Sequence, residues 1–284
     1  LIMTAGSLHF HCEEARAAQV IKEEKGTYGC LTWPQNLNAV RSEVEIFKKI
    51  PKDLRADTPI ANAIYRNTQV YTNSLMLDMR QLQAEKPLFY RVRAYDLDGR
   101  PIGPYSQPAD VESALFKTER NAPIPHDPYG KGNCSVLLYP VYAYTGNPNA
   151  ASYEIEVTSK YPENLHGFSP SVHRIYANTT ELTDLYDDAP RTGTYYWRVR
   201  GMDSAGKPVG EWSLPQEIKN PVKHWKVAVY GDSISHGGGH LSFGPADLAY
   251  SYESYLDFPS INLSQSGDTS EAMVMRFEKD VLPF

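Results

Sequence analysis

The sequence predicts a mainly β-sheet chain in which two similar all-β units precede a shorter segment of alternating strands and helices. A 20-residue segment occurs twice, which indicates two copies of one structural unit. The 20 tyrosines and 21 prolines among 284 residues are typical of strands and turns. From Trp225 a continuous apolar run replaces the alternating pattern, as in a strand covered on both faces of a parallel sheet. We expect the chain to divide into residues 1–24, 25–115, 116–221 and 222–284.

The repeated segment closes each β unit. FYRVRAYDLDGRPIGPYSQP, from Phe89, aligns without a gap to YWRVRGMDSAGKPVGEWSLP, from Tyr196, with nine identical residues. Apolar side chains alternate there with the arginines of an R-V-R motif that begins at Arg91 and Arg198, which is the period of a strand with one buried face. An Asp-Gly or Ala-Gly pair then marks a reversal, so each copy is predicted to form a hairpin.

Two shorter matches precede the hairpins in the same order. They are LTWP from Leu31 with LLYP from Leu137, and VEIF from Val44 with IEVT from Ile155. With a Gly-Thr-Tyr corner that ends at Tyr195, the pattern resembles fibronectin type III modules. The resemblance covers about residues 25 to 220 and implies two β-sandwiches. It also implies that the corner tyrosine hydroxyl bonds to the preceding loop, but not in the first module, which carries Leu88 there.

The second β unit contains a longer loop, residues 142–149, with the sequence YAYTGNPN. Tyrosine rings can stack on the faces of sugars, although they also fill the surfaces of β-sandwiches. The modules are therefore expected either to act as a spacer that positions another domain or to bind a ligand through this loop.

Polar residues follow each of the two strands predicted after residue 222. Gly231-Asp232-Ser233 comes after the apolar run at 227–230, and Ser266-Gly267-Asp268 comes after the short strand at 260–263. Catalytic groups collect at the carboxyl ends of parallel strands, so these two turns are the candidate site.

The phrases VAVYGDSIS and INLSQSGDTSEAMVMRFEKDVLP resemble the opening half of the SGNH or GDSL hydrolases. The resemblance implies part of a flavodoxin-like, three-layer α/β domain that acts as a serine esterase. Ser233 would attack the ester carbonyl, and the backbone N–H groups of Ser233 and Gly267 would hold the oxyanion. Asp232 is expected to brace the turn, and the chemistry needs no metal and no organic cofactor.

Two helices are predicted in the same segment, over residues 245–257 and 269–281. Asp268 is expected to cap the second helix, with Glu271 three residues on. Four of its residues form an apolar stripe at helical spacing. The stripe consists of Met273, Val274, Phe277 and Val281.

The spacing of residues argues against a phosphate-binding loop, a zinc-binding helix and a disulfide framework. A Walker loop needs a Gly-Lys-Ser or Gly-Lys-Thr, and no lysine lies between Lys226 and Lys279. Three glycines separate His236 from His240, which disfavours a zinc-binding helix; both are expected in a solvated loop or in a pocket wall. The remaining candidates are also weak. His9 and His11 are expected to be exposed beside a short helix at 13–24, and Cys12, Cys30 and Cys134 are too scattered for a disulfide framework.

The hydrolase family also uses an Asn in a third block and a late Asp-x-x-His, and neither block is present. Two strands cannot complete a parallel sheet. We therefore expect the sheet to be completed by a carboxyl-terminal part of the hydrolase domain outside residues 1–284, in the same precursor or in a cleaved chain.

The charge of −6, without long basic runs, argues against binding to nucleic acid or anionic lipid, and no apolar run reaches the roughly 18 residues of a membrane span. We expect a secreted or cell-surface bacterial protein, with its signal peptide removed, that deacylates a small ester or a polysaccharide. The alternative is a noncatalytic carbohydrate-binding or adhesion protein built on the β modules.

Overall fold

The computed structural model describes residues 28–36, 38–82, 87–118, 120–126, 134–179, 184–236 and 252–284. The predictions for His9, His11, Cys12 and the helix at 13–24 lie outside these residues. Most of the helix predicted at 245–257 does so too, and its described part is a 3-10 turn at Tyr252–Tyr255. Within the described ranges, no helix is both long and apolar enough to cross a membrane.

Module 1, residues 28–118, is a β-sandwich of two antiparallel sheets. Its strands are β1 Tyr28–Thr32, β2 Arg41–Phe47, β3 Tyr65–Val70, β4 Ser74–Asp78, β5 Phe89–Tyr95, β6 Ala109–Asp110 and β7 Phe116–Thr118, with the short helix α1 Val111–Ala114 before β7. The sheet orders are β4-β1-β7 and β3-β2-β5-β6. Apolar residues of both sheets, such as Leu31, Leu77 and Ile46, meet in one core. Because β7 pairs with β1, module 1 extends past the predicted boundary at residue 115.

Module 2 repeats this arrangement between residues 120 and 220. The strands of this region are β8 Ile124–His126, β9 Cys134–Leu137, β10 Val141–Thr145, β11 Ser152–Thr158, β12 Val172–Thr179, β13 Asp184–Tyr186, β14 Gly193–Met202, β15 Pro208–Val209 and β16 Gln216–Asn220. One sheet has the order β13-β10-β8, and the other has the order β12-β11-β14-β15 with β16 also on β14. Tyr142, Tyr144 and Trp197 lie in the core between them.

The predicted hairpins are confirmed. In each copy an Asp accepts backbone N–H bonds across the turn, with Asp96 bonded to Arg100 and Asp203 bonded to Lys207. The glycine of each turn has a φ near 72°, which glycine adopts at little cost. The matched segments LTWP and LLYP, in contrast, do not occupy equivalent positions in the two modules. β1 ends before Trp33, whereas β10 begins after Pro140.

The first arginine of each R-V-R motif is buried, although the alternating pattern had placed it on the face opposite the core. Arg91 is 1% exposed and Arg198 is 2% exposed. Each donates from Nε to a buried glutamate on the neighbouring strand, Arg91 to Glu45 at 2.8 Å and Arg198 to Glu156 at 2.6 Å. The sequence match of VEIF with IEVT is therefore confirmed, because it aligns these two glutamates.

A small parallel sheet follows module 2. Its strands are β17 Val227–Val229 and β18 Ser260–Asn262, and the sheet order is β17-β18-β9. The third strand, β9, comes from the region of module 2. The expectation that polypeptide outside this sequence must extend the sheet is therefore wrong for the β18 edge. The fold as a whole is mostly β-sheet, and a three-layer α/β domain is not seen among the described residues.

The second predicted helix is present as α3, Ser270–Asp280, but its apolar stripe is only partly buried. Its cap is Thr269, whose hydroxyl accepts the N–H of Ala272 at 3.2 Å, so the prediction of Asp268 as cap is wrong. Val274 is 76% exposed and Phe277 is 45% exposed. The polar residues Arg276 and Asp280 face inward instead, as their contacts with the site show.

Candidate functional site

The first candidate site lies on the turn after β17. Gly231 is buried, and Ser233 is exposed as the first residue of α2, Ser233–His236. Asp232 braces this turn, because its Oδ1 accepts the backbone N–H of Ile234 at 3.0 Å. The hydroxyl of Ser233 is thus presented to solvent at the carboxyl end of a parallel strand.

The turn at residues 266–268 lies beside the serine turn. The backbone N–H of Gln265 donates to the Gly231 carbonyl at 3.1 Å, and the N–H of Ser266 donates to His236 Nδ1 at 3.0 Å. Gly267 is exposed with a φ of 90°, a conformation that side chains larger than glycine rarely adopt. The structure therefore brings together the two turns that carry Ser233 and Gly267.

His236 holds the turn at residues 266–268 in place and is not a base for Ser233. It is 1% exposed, so the expectation of a solvated loop residue is wrong. Because Nδ1 accepts from Ser266, the ring proton lies on Nε2, which donates to the Tyr139 carbonyl at 2.8 Å. Burial lowers the pKa of His236 to about 4, so the ring is neutral at neutral pH.

Arg276 ties the two turns together, and the sequence reasoning missed it. Its guanidinium donates to Asp268 Oδ2 at 2.5 Å, to the Leu263 carbonyl at 2.7 Å and to the Gly231 carbonyl at 3.2 Å. It also donates to Asp280, which accepts the hydroxyl of Tyr139. The sequence did carry a signal for it, because Arg276 lies between Val274 and Phe277 of the predicted apolar stripe.

No group of three or more His, Cys, Asp or Glu that could hold a metal ion occurs in the part of the chain that the structure describes. Cys30 is buried in module 1 with a free thiol, and burial raises its pKa to about 12.

The second candidate site is a cleft of about 270 Å³ between the two modules. Module 1 contributes one wall through β3, β4 and the residues next to them, and module 2 contributes the other through residues 145–150 and Tyr153. The side chains that carry polar groups here are Tyr65, Asn67, Gln69, Tyr71, Thr72, Ser74, Asp78, Gln81, Thr145, Asn147, Asn149 and Tyr153. Asp78 is the single carboxylate among the described residues that line the cleft.

A hydrogen bond at the floor of the cleft joins the two modules. The hydroxyls of Ser74 and Thr145 bond to each other, and each residue is 2% exposed. Thr145 Oγ1 is also 2.6 Å from His126 Nε2. Burial lowers the pKa of His126 to about 4, so the imidazole is neutral at neutral pH.

The expected role of loop 142–149 is partly wrong. Tyr142 and Tyr144 are fully buried in the core of module 2, so neither can stack on a ligand. The later residues of the loop, from Thr145 to Asn149, do line the cleft. The structure thus places the loop at a candidate site through its amides instead of its tyrosines.

No protein-family model matches the chain, and no curated protein matches it. Among solved structures, the chain is similar to the fibronectin(III)-like modules of Clostridium thermocellum CbhA. The identity is 14%, with 69% of this chain and 87% of that chain covered at a TM-score of 0.21. Such a score carries no argument about function. The β-sandwich fold rests on the strand pairing described above, and none of these matches supports the resemblance to hydrolases.

Proposed function

We propose that the two β-sandwich modules form a noncatalytic unit that binds carbohydrate, on a secreted or cell-surface protein. The observation that carries this proposal is the inter-module cleft, whose described lining residues combine amides, hydroxyls and tyrosines with a single carboxylate. Amides and hydroxyls both donate and accept hydrogen bonds, as sugar hydroxyls do, and aromatic rings pack against the C–H faces of sugars.

A depletion experiment tests this proposal. The protein is mixed with insoluble cellulose, chitin, xylan or starch, and the fraction that stays in solution is measured. We expect at least one polysaccharide to remove the protein, and soluble fragments of that polysaccharide to release it. Failure of all four to remove the protein would contradict the proposal.

Ester hydrolysis at Ser233 is a second candidate function. It is favoured by one observation, the exposed Ser233 hydroxyl beside the turn of Gly267 at the edge of a parallel sheet. Ser233 would attack the carbonyl of a small or polysaccharide ester, and the N–H groups of Ser233 and Gly267 would stabilise the oxyanion. No cofactor takes part in this chemistry.

This second candidate needs a base that reaches Ser233. His236 does not serve, because its two ring nitrogens are engaged by Ser266 and Tyr139. The candidate therefore requires a base other than His236.

A fluorophosphonate probe tests the esterase candidate. We expect labelling that disappears in Ser233→Ala and persists in Ser270→Ala, because Ser270 is also exposed and also the first residue of a helix. Absence of labelling in the unmodified protein, or equal labelling of Ser233→Ala, would rule this candidate out.

A further inference from the structure

We infer that the inter-module cleft holds one or two uncharged sugar residues, stacked on Tyr71 and hydrogen-bonded by both modules. This inference rests on the carbohydrate-binding function proposed above and names its site and ligand class. Pockets for drug-sized ligands have volumes of about 300–1,000 Å³. The cleft, at about 270 Å³, lies just below that range and so fits a short saccharide.

The charge of the cleft selects a neutral ligand. Among the described residues that line it, none is a lysine or arginine, and Asp78 is the single carboxylate. Asp78 is committed to Arg80, whose Nε and Nη2 donate to it at 2.9 and 2.8 Å. The hydrogen bond from Arg80 lowers the pKa of Asp78. A charged ligand would lose its hydration in the cleft without gaining a counter-ion, which is costly.

Exposed amides on both walls match the hydroxyls of a sugar. Gln69 and Gln81 lie on the wall of module 1, and Asn149 lies on the wall of module 2. Each primary amide offers two donors and one acceptor oxygen, so it can bond to neighbouring hydroxyls of one ring. A ligand that uses all three amides touches both modules.

Tyr71 provides the aromatic surface. Its side chain is 37% exposed, and its hydroxyl donates to Gln69 Oε1 at 2.5 Å. That bond restricts the motion of the ring, so stacking on a sugar costs less side-chain entropy than it would without the bond.

Contacts within the protein hold the cleft in shape. The buried bond between Ser74 and Thr145 holds its floor. Asn149 has a φ of 67°, a left-handed conformation that Asn tolerates better than most residues. Residues held in such conformations cluster at ligand clamps, and the turn keeps the amide of Asn149 at the cleft.

The test measures binding of cellobiose, maltose and N,N′-diacetylchitobiose to the full chain by titration calorimetry, with glucuronic acid and glucosamine as charged probes. We expect at least one neutral disaccharide to bind, and at least tenfold more tightly than either charged probe. Tyr71→Ala should weaken that binding tenfold or more, whereas Tyr71→Phe, which keeps the ring, should change it less than threefold. Asn149→Gly, which keeps the backbone conformation, should weaken it about threefold or more.

Tyr161→Ala is the matched control, because Tyr161 is 59% exposed on module 2 and does not line the cleft. Its binding should equal that of the unmodified protein. Tighter binding of a charged probe, or unchanged binding in both Tyr71→Ala and Asn149→Gly, would overturn the inference. If polysaccharide depletes the protein but no neutral disaccharide binds, the inference fails and the proposed function stands. If neither experiment shows binding, both fail.

Discussion

The two modules bury the same ion pair but support it differently. In module 1, Glu45 bonds to two arginines, Arg91 from β5 and Arg66 from β3. In module 2, Arg198 is the one arginine paired with Glu156 among the described residues. Ile175 lies opposite Glu156 on β12, at the position that Arg66 holds in module 1. A repeat can thus conserve a buried charge pair while changing how strongly the fold depends on a single partner.

Both pairs are covered by loops and by an aromatic ring. Arg91 donates to the carbonyls of Arg55 and Thr58 at 2.8 and 2.6 Å, and Arg198 donates to that of Gly167 at 2.7 Å. The arginine of each pair also lies over a ring at the same position of the repeat, Tyr105 at 3.9 Å and Trp212 at 4.4 Å. These bonds satisfy donors that burial would otherwise leave unpaired.

The largest effect is expected for Arg198→Met, because it leaves Glu156 buried without an arginine. Removing one partner of a buried pair costs about 3–5 kcal/mol. We expect a loss of this size in the free energy of unfolding of module 2, measured by denaturant-dependent hydrogen exchange of its strands. Arg174→Met, which removes an exposed ion pair with Asp188, is the control and should cost less than about 1 kcal/mol. Equal, small losses in the two variants would contradict the comparison.

Arg91→Met should cost module 1 less, about 1.5–3 kcal/mol, the usual worth of hydrogen bonds to a charged group. Glu45 keeps its bond from Arg66 in this variant. In the Arg66→Met background the same substitution should cost more, because Glu45 then has neither arginine. The same hydrogen-exchange measurement on β2 and β5 reports both values. If Arg91→Met lowered the free energy of unfolding as much as Arg198→Met does, the proposed difference between the modules would be contradicted.

Lowering the pH should reduce the free energy of unfolding of module 2 more than that of module 1. The pKa of His126 is about 4 in the folded chain, compared with about 6.5 in an unfolded one. Between these values the unfolded state binds the additional proton. The free energy of unfolding therefore falls as the pH drops from about 6.5 to about 4, by up to about 3 kcal/mol. The sequence contains no histidine between His11 and His126, so module 1 lacks this response.

Hydrogen exchange of each module at several pH values between 4 and 7 checks this expectation. His126→Gln, which does not titrate, should flatten the pH dependence of module 2. An unchanged slope in this variant would show that other groups cause the loss.

The smallest effect is expected for Ile175→Arg, which gives module 2 the second arginine of module 1. Ile175 is 36% exposed, so a new pair with Glu156 forms at the surface edge of the cluster and should add about 0.5 kcal/mol. The sharper readout is the double variant with Arg198→Met, where the new arginine should recover part of the loss. No recovery would indicate that position 175 cannot substitute for Arg66.

Local patterns explain which predictions succeeded. The turns at Asp96 and Asp203 depend on an Asp side chain and a nearby glycine, so a short window contains all that is needed. The extent of α3 likewise follows from its own residues. Its orientation does not, because a helix with both an apolar stripe and an arginine can turn either side to the sheet. Arg276 finds acceptors on both turns of the candidate site, and that outcome depends on residues far away in sequence.

The sequence by itself determined the duplication, the closing hairpins, the match of VEIF with IEVT and the order of the strands after Trp225. These features depend on residue spacing, which the chain carries without reference to its neighbours. Only the tertiary structure decided that the arginines are buried, that β9 joins the parallel sheet, that His236 supports a turn, and that residues 145–149 form a cleft with module 1. Each of these depends on which distant segment covers a polar group, because a buried donor or acceptor must find its partner in space instead of along the chain.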